Sequence, residues 1–168
     1  PAISTYGGAL LFHKSERPKP IEIKGEIPLV IGNTQIKRST GKLVAHVNRV
    51  RLKYPSIIKP LIGSYKALLH NAVKALKEGD LHTLGELMNL NQGLLYTLGV
   101  SSGSLERLIN AAREAGALDA KLTGAGGGGC IIALTEPEKL ESVSKAIKLA
   151  GGTALIVKRS FEGVRIED

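Results

Sequence analysis

The sequence has no tryptophan, a single cysteine, Cys130, and only 4% aromatic residues. One cysteine excludes an internal disulfide framework and fits a reducing compartment, so a cytoplasmic location is expected. The four tyrosines, Tyr6, Tyr54, Tyr65 and Tyr96, are too dispersed for a base-stacking platform. Apolar runs are short: Cys130-Ile131-Ile132-Ala133-Leu134 is far below the roughly 20 residues a membrane-spanning helix needs. No stretch pairs a charged lead with an apolar core in the manner of a targeting segment. Acidic residues are in deficit, 15 against 23 Lys and Arg, for a net charge of +8. The basic residues are scattered along the chain and read as a solvated surface, so neither nucleic acid nor a membrane is expected as a partner.

What remains is an ordinary globular composition, 43% hydrophobic over 168 residues, enough for one core. The first third reads as strands over Gly8–His13, Pro20–Lys24 and Pro28–Asn33, after a turn at Ser4-Thr5-Tyr6-Gly7-Gly8. From Thr40 the period becomes helical. Leu43, Val47 and Val50 mark a first helix ending before Pro55, and a long second stripe runs from Ile57 to Leu76 and stops at Gly79. Asp80 caps a third helix through Leu98, and Ser101-Ser102 opens a fourth that ends at Gly116. Strands return at Leu118–Thr123 and Cys130–Leu134. Thr135-Glu136-Pro137-Glu138 fits a capping box opening a helix to Ala150, and Ala154–Val157 and Gly163–Glu167 read as closing strands. The chain is α+β with a helical layer and a small sheet.

The most informative stretch is KLTGAGGGGC, Lys121 to Cys130. Gly124, Gly126, Gly127, Gly128 and Gly129 around Ala125 allow the backbone to approach something closely, and successive free amides form a concavity that favours anions. Gly124, Gly126 and Gly129 match the spacing of the dinucleotide fingerprint, but that motif needs a helix to follow, and a strand follows here. No Gly-Lys-Ser/Thr ends the run, which excludes a Walker A loop.

KLTGAGGGGC resembles the third conserved motif of the GHMP small-molecule kinases, in the form typical of mevalonate kinases. STYGGAL, NTQIKRSTGKLVAHV and MNLNQGLLYTLGVSSGSLE agree with that family in order and spacing, so the similarity extends over essentially the whole chain. The resemblance implies a GHMP-kinase C-terminal domain over residues 40–168. There a helical layer packs on a mainly antiparallel, ferredoxin-like sheet, and residues 1–39 supply strands completing a preceding domain. It implies transfer of the γ-phosphoryl group of ATP, with Mg2+, to the primary hydroxyl of mevalonate. ATP and Mg2+ would be held mainly by the N-terminal half of the same enzyme, in a homo-oligomer.

In the family a catalytic aspartate precedes the sequence resembling AISTYGG, so the expected position of that residue lies just before Pro1. No residue here takes its place. Asp80, Asp119 and Asp168 read as a cap, a strand start and a terminus, and no metal ligand is expected. The residues matching family positions near substrate are Thr5, Tyr6, Arg38 and Thr40, with Gly124–Gly129 beside the phosphates. Arg38 suits a bidentate grip on a carboxylate or phosphate, or else is surface charge before a helix. Thr40 suits a hydrogen bond to mevalonate, or else an N-cap. Asn91, on the apolar stripe between Met88 and Leu95, calls for a structural hydrogen bond to a neighbouring helix or loop, or else contacts substrate. The four histidines have no ligand-like spacing, and Cys130 reads as a buried structural thiol.

An Asp-Pro junction at Pro1 would be acid-labile, which makes acid cleavage one origin for this terminus and a designed boundary the other. A segment cut from its neighbour would expose a strand edge near Gly8 and some apolar surface, and so self-associate or be marginally stable. Two other readings remain open at this point: a self-sufficient α+β module holding an anionic small molecule on the glycine loop, and a basic interaction protein for nucleic acid.

Overall fold

The computed structural model describes residues 2–13 and 16–164. In chain order its elements are α1 (Ala2–Tyr6), β1 (Leu10–Leu11), β2 (Lys19–Pro20) and β3 (Leu29–Asn33), then the helices α2 (Thr40–Lys53), α3 (Pro55–Glu78), α4 (Leu81–Thr97) and α5 (Gly103–Glu114). The hairpin strands β4 (Asp119–Leu122) and β5 (Cys130–Leu134) follow. A 3-10 turn over Pro137–Lys139 leads into α6 (Leu140–Leu149), and β6 (Thr153–Val157) closes the sheet.

Four strands form one sheet in the order β4-β5-β3-β6, every pair antiparallel. Leaving aside α2–α4, the path β3, α5, β4, β5, α6, β6 is the ferredoxin-like βαββαβ arrangement. β3 alternates because its neighbours cover one face more than the other: Val30 and Gly32 are buried, while Leu29, Ile31 and Asn33 are half-buried. It lies between β5 and β6, so the strand at 29–33, expected to belong with the preceding segment, is an inner strand of the sheet that continues past residue 40. The core joins Val30, Ala120, Leu122, Ile131 and Ala133 of the sheet to Leu105, Leu108, Ile109 and Ala112 of α5 and Val143 and Ile147 of α6. Burying each large aliphatic side chain among these contributes about 1.5–3 kcal/mol. Gly32 lets α6 close on the sheet, since a Cβ there would stand 2.9 Å from the Ile147 methyl group.

The helix boundaries follow local chemistry. Gly79, at φ 75°, ends α3 in the left-handed conformation that glycine adopts without strain. Asp80 caps α4, its Oδ1 accepting from the Thr83 amide at 3.0 Å and its Oδ2 from the Thr83 hydroxyl at 2.7 Å. These bonds from Thr83 hold the Asp80 carboxyl below the ordinary carboxylate range. Arg113, near the end of α5, closes an ion pair of 2.9 Å on Asp119, where β4 begins.

Several expectations give way. The opening residues form the short helix α1 in place of a turn. The strand expected over 8–13 shrinks to Leu10–Leu11, and that over 20–24 to Lys19–Pro20. The reason is where the backbone donors go: the Lys24 amide bonds the Leu76 carbonyl at the end of α3, so this segment caps a helix rather than extending a ladder. The capping box at 135–138 does not form. Thr135 is buried, its hydroxyl donates to the Glu136 carbonyl, and α6 starts after the 3-10 turn without a side-chain cap. Residues 163 and 164 carry no strand, while 165–168, Asp168 among them, and Pro1 with its junction lie outside the described residues.

Candidate functional site

The glycine run joins β4 to β5 at the sheet end marked by Asn33, Cys130 and Thr153. The Thr123 amide bonds the Cys130 carbonyl at 2.9 Å and closes the base of the loop. Gly124, Gly126, Gly127, Gly128 and Gly129 all have positive φ. Two of them show why no side chain fits. A Cβ on Gly126 would lie 2.1 Å from the Val100 carbonyl oxygen, and one on Gly129 would lie 2.3 Å from Arg38 Nη1. The loop is therefore pressed between the α4–α5 connection on one side and the segment after β3 on the other.

Its polar groups are sorted by direction. Arg38 Nη1 donates to the Gly128 carbonyl at 2.8 Å, with a longer approach of 3.5 Å to the Thr123 carbonyl. Thr34 donates to the Gly129 carbonyl through both its amide, at 2.9 Å, and its hydroxyl, at 3.0 Å. The Gly127 amide is taken by the Val100 carbonyl at 2.7 Å. The amides of Gly124, Ala125 and Gly126 make no hydrogen bond among the described residues. The Gly128 and Gly129 carbonyls are thus held by Arg38 and Thr34, and three successive amides at 124–126 are left to meet an anion. A cleft of about 320 Å³ opens beside Ala125, lined by Leu43, Val44 and Val47 of α2, Val100, and Arg51.

The Val100 side of this cradle is braced by a buried glutamine. Gln92 on α4 is 3% exposed. Its Nε2 donates to Ser101 Oγ at 3.0 Å and to Glu106 Oε1 at 2.7 Å, and its Oε1 accepts from the Leu122 amide at 2.9 Å. The Ser101 hydroxyl also donates to Glu106 Oε1. One side chain therefore ties the end of β4, the chain leading into α5 and α5 itself.

The expected site residues divide accordingly. The structure brings Arg38 to Gly124–Gly129, where it grips loop carbonyls. Thr40 is the first residue of α2 and exposed, and Ser39, not Thr40, is the N-cap, its hydroxyl facing the Lys42 amide at 3.5 Å. Thr5 and Tyr6 are not brought to the loop. Their segment packs on the chain beyond β6, with the Gly8 amide on the Ser160 carbonyl at 2.9 Å. That is the sheet end marked by Leu29, Leu134 and Val157, the length of β3 away from the glycines, about 14 Å at ~3.4 Å per residue. Asn91 is not the structural polar residue of α4. It is half-buried at the rim of a cavity, and its neighbour Gln92 holds the network. Gln92 lies four residues after Met88 and three before Leu95, a spacing that suits the stripe no better than that of Asn91, so sequence alone does not single it out. Cys130 is a free, half-buried thiol at the first position of β5.

Three successive unengaged amides are donors of the kind a phosphate oxygen accepts. No cluster of three or more His, Cys, Asp or Glu side chains occurs among the described residues. Asp80 and Asp119 are committed to a helix cap and to Arg113.

Comparison with known proteins bears on the family and the fold. Residues 72–152 match the family model "GHMP kinases C terminal". The chain is 47% identical over its whole length to mevalonate kinase of Thermococcus sibiricus, and 33% identical over 99% of its length to that of Aeropyrum pernix. It covers 51% and 52% of them, so the chain spans about half the length of the curated relatives it matches. A crystal structure of Leishmania major mevalonate kinase in complex with R-mevalonate superposes with a TM-score of 0.88 at 31% identity, over 95% of this chain and 51% of that one. Homoserine kinase from Cytophaga hutchinsonii, at 18% identity and a TM-score of 0.76, shares the fold.

Proposed function

Because the chain carries the C-terminal domain of the GHMP kinases, we propose that it forms the C-terminal half of a kinase that moves the γ-phosphoryl group of ATP to the primary hydroxyl of mevalonate. The observation that carries the reading is the row of unengaged amides at Gly124, Ala125 and Gly126, in a loop whose Gly128 and Gly129 carbonyls are held by Arg38 and Thr34. Phosphoryl transfer asks the protein chiefly for positioning and for stabilisation of negative charge on phosphate oxygens. Fixed amide dipoles supply that without reorganising at the moment of reaction.

Arg38 has two parts in this scheme. Nη1 fixes the loop, while Nη2, which would stand 2.7 Å from a Cβ on Gly124, is placed to meet an anion resting there. Thr40 is exposed at the start of α2, one residue past the Ser39 cap, and is proposed to meet mevalonate. The proton acceptor for the attacking hydroxyl and the groups that hold Mg2+ are assigned to the N-terminal half of the enzyme. Thr5 and Tyr6 are assigned to the junction with that half. The working protein is proposed to be a cytoplasmic homo-oligomer, a reading supported by exposed Leu52, Ile57, Leu69 and Leu90 on the helical layer.

The test is ATP turnover by the intact protein, followed as ADP release. Mevalonate-dependent release that disappears without Mg2+ is expected. ADP release indifferent to mevalonate, or none at all, overturns the reading.

A further inference from the structure

A second hollow lies away from the glycine loop, between α3 and α4, with a volume of about 300 Å³. Leu68, Ala72, Leu84, Leu87 and Met88 wall it together with the ring of Tyr65. Lys121 of edge strand β4 is its single charged lining residue, and Asn91 also lines it.

The state of Lys121 is unusual. A cation drawn out of water is ordinarily paired with a carboxylate. Lys121 is half-buried and has no carboxylate within ion-pair distance among the described residues. Its ammonium donates only to the carbonyl of the next residue, Leu122, at 2.7 Å. Burial lowers its pKa from the ordinary lysine value, the mark of a charge that its surroundings do not compensate. Tyr65 adds a second unmet polar group, a hydroxyl shut off from solvent with no hydrogen-bond partner. The cavity thus combines a long apolar wall with a cation that lacks a counter-charge.

We propose that this cavity binds a small amphipathic anion, its aliphatic chain along Leu68, Ala72, Leu87 and Met88 and its carboxylate or phosphate head on Lys121 and Asn91. The volume corresponds to about ten water-sized units of ~30 Å³ each, so the ligand has roughly ten non-hydrogen atoms. It occupies the back of β4, three residues before Gly124, and is separate from the anion cradle of the loop.

Octanoate, octyl phosphate and octanol, added to the intact protein, test this. Met88 is the only methionine in these 168 residues, and its labelled methyl group reports on the cavity wall. Either anion, or both, is expected to shift that methyl resonance saturably, and the comparison of the two tells a carboxylate from a phosphate site. Octanol is expected to bind at least about tenfold more weakly, the value of one charge-assisted hydrogen bond. Lys121→Met is expected to remove the advantage of the anions while leaving octanol within about twofold. Ala72→Phe fills the cavity and is expected to abolish the shift for all three. No saturable shift with either anion, or octanol binding as tightly as both in the unmodified protein, overturns the proposal.

Discussion

Replacing Gln92 by leucine separates the buried network from its volume, because the two side chains are of similar size. The network loses three hydrogen bonds, two donated by Nε2 and one accepted by Oε1 from the Leu122 amide. Ser101 and Glu106 keep each other, so their loss is partial. The Leu122 amide is orphaned inside a residue with no solvent exposure. A stranded buried donor costs about 1–3 kcal/mol, and the weakened bond to a carboxylate adds to it, for about 2–4 kcal/mol altogether. Two assays read this: urea denaturation, and hydrogen exchange at the Leu122 amide, expected to quicken by about 30- to 1000-fold. Gln92→Glu sharpens the case. A carboxylate there still accepts from Leu122 but faces Glu106 with like charge, which raises the folded-state pKa of the new acid. An acid with a raised folded pKa binds more protons folded than unfolded, so this variant gains stability as pH falls from neutral. An unfolding free energy within about 0.5 kcal/mol of the parent, the range of an ordinary surface change, with Leu122 still protected, would refute the reasoning.

Gly126→Ala puts a methyl group where the Val100 oxygen stands and at a φ of 87°, so the cradle must rebuild. Steady-state kinetics of the intact kinase are expected to lose about 100-fold in kcat/KM for ATP, as for a displacement of about 1 Å at a reacting group; an active variant with unchanged KM counts against the loop's part. Tyr65→Phe removes a buried hydroxyl that has no partner and is expected to raise stability by about 1 kcal/mol in urea denaturation, whereas a loss would mean the hydroxyl is satisfied. The Asp80 carboxyl, held low by its bonds from Thr83, contributes stability that is present above the unfolded pKa and is lost as pH falls through the folded one. Asp80→Asn keeps a capping side chain and is expected to flatten the acid side of the stability profile; an unchanged profile contradicts the assignment.

The long elements were legible because their signals are periodic. α3 carries its stripe over 24 residues and ends at a glycine, and the hairpin strands flank their loop as the apolar runs predict. Five residues, Ala2–Tyr6, hold no such period, so α1 could not be read. β1 and β2 were overextended because β propensity says nothing about where amides go, and the Lys24 amide goes to a helix end. At the site the anion-seeking loop was plain from composition alone. The use of Arg38 was not, since its partner Gly128 lies 90 residues on. Gln92 was missed for a related reason. Asn91 and Gln92 both suit the stripe by spacing, and only the close approach of Leu118 to Gly85, two turns earlier, shows which face is closed: a Cβ on Gly85 would stand 3.2 Å from it.

The central claim is that three particular amides receive a phosphate. Amide NMR of the intact, isotope-labelled protein titrated with ATP tests it directly. The account predicts large downfield shifts for Gly124, Ala125 and Gly126 and a much smaller one for Gly127, whose amide is already held by Val100. A shift centred on Gly127, or none across 124–126 when ATP is bound, would contradict it.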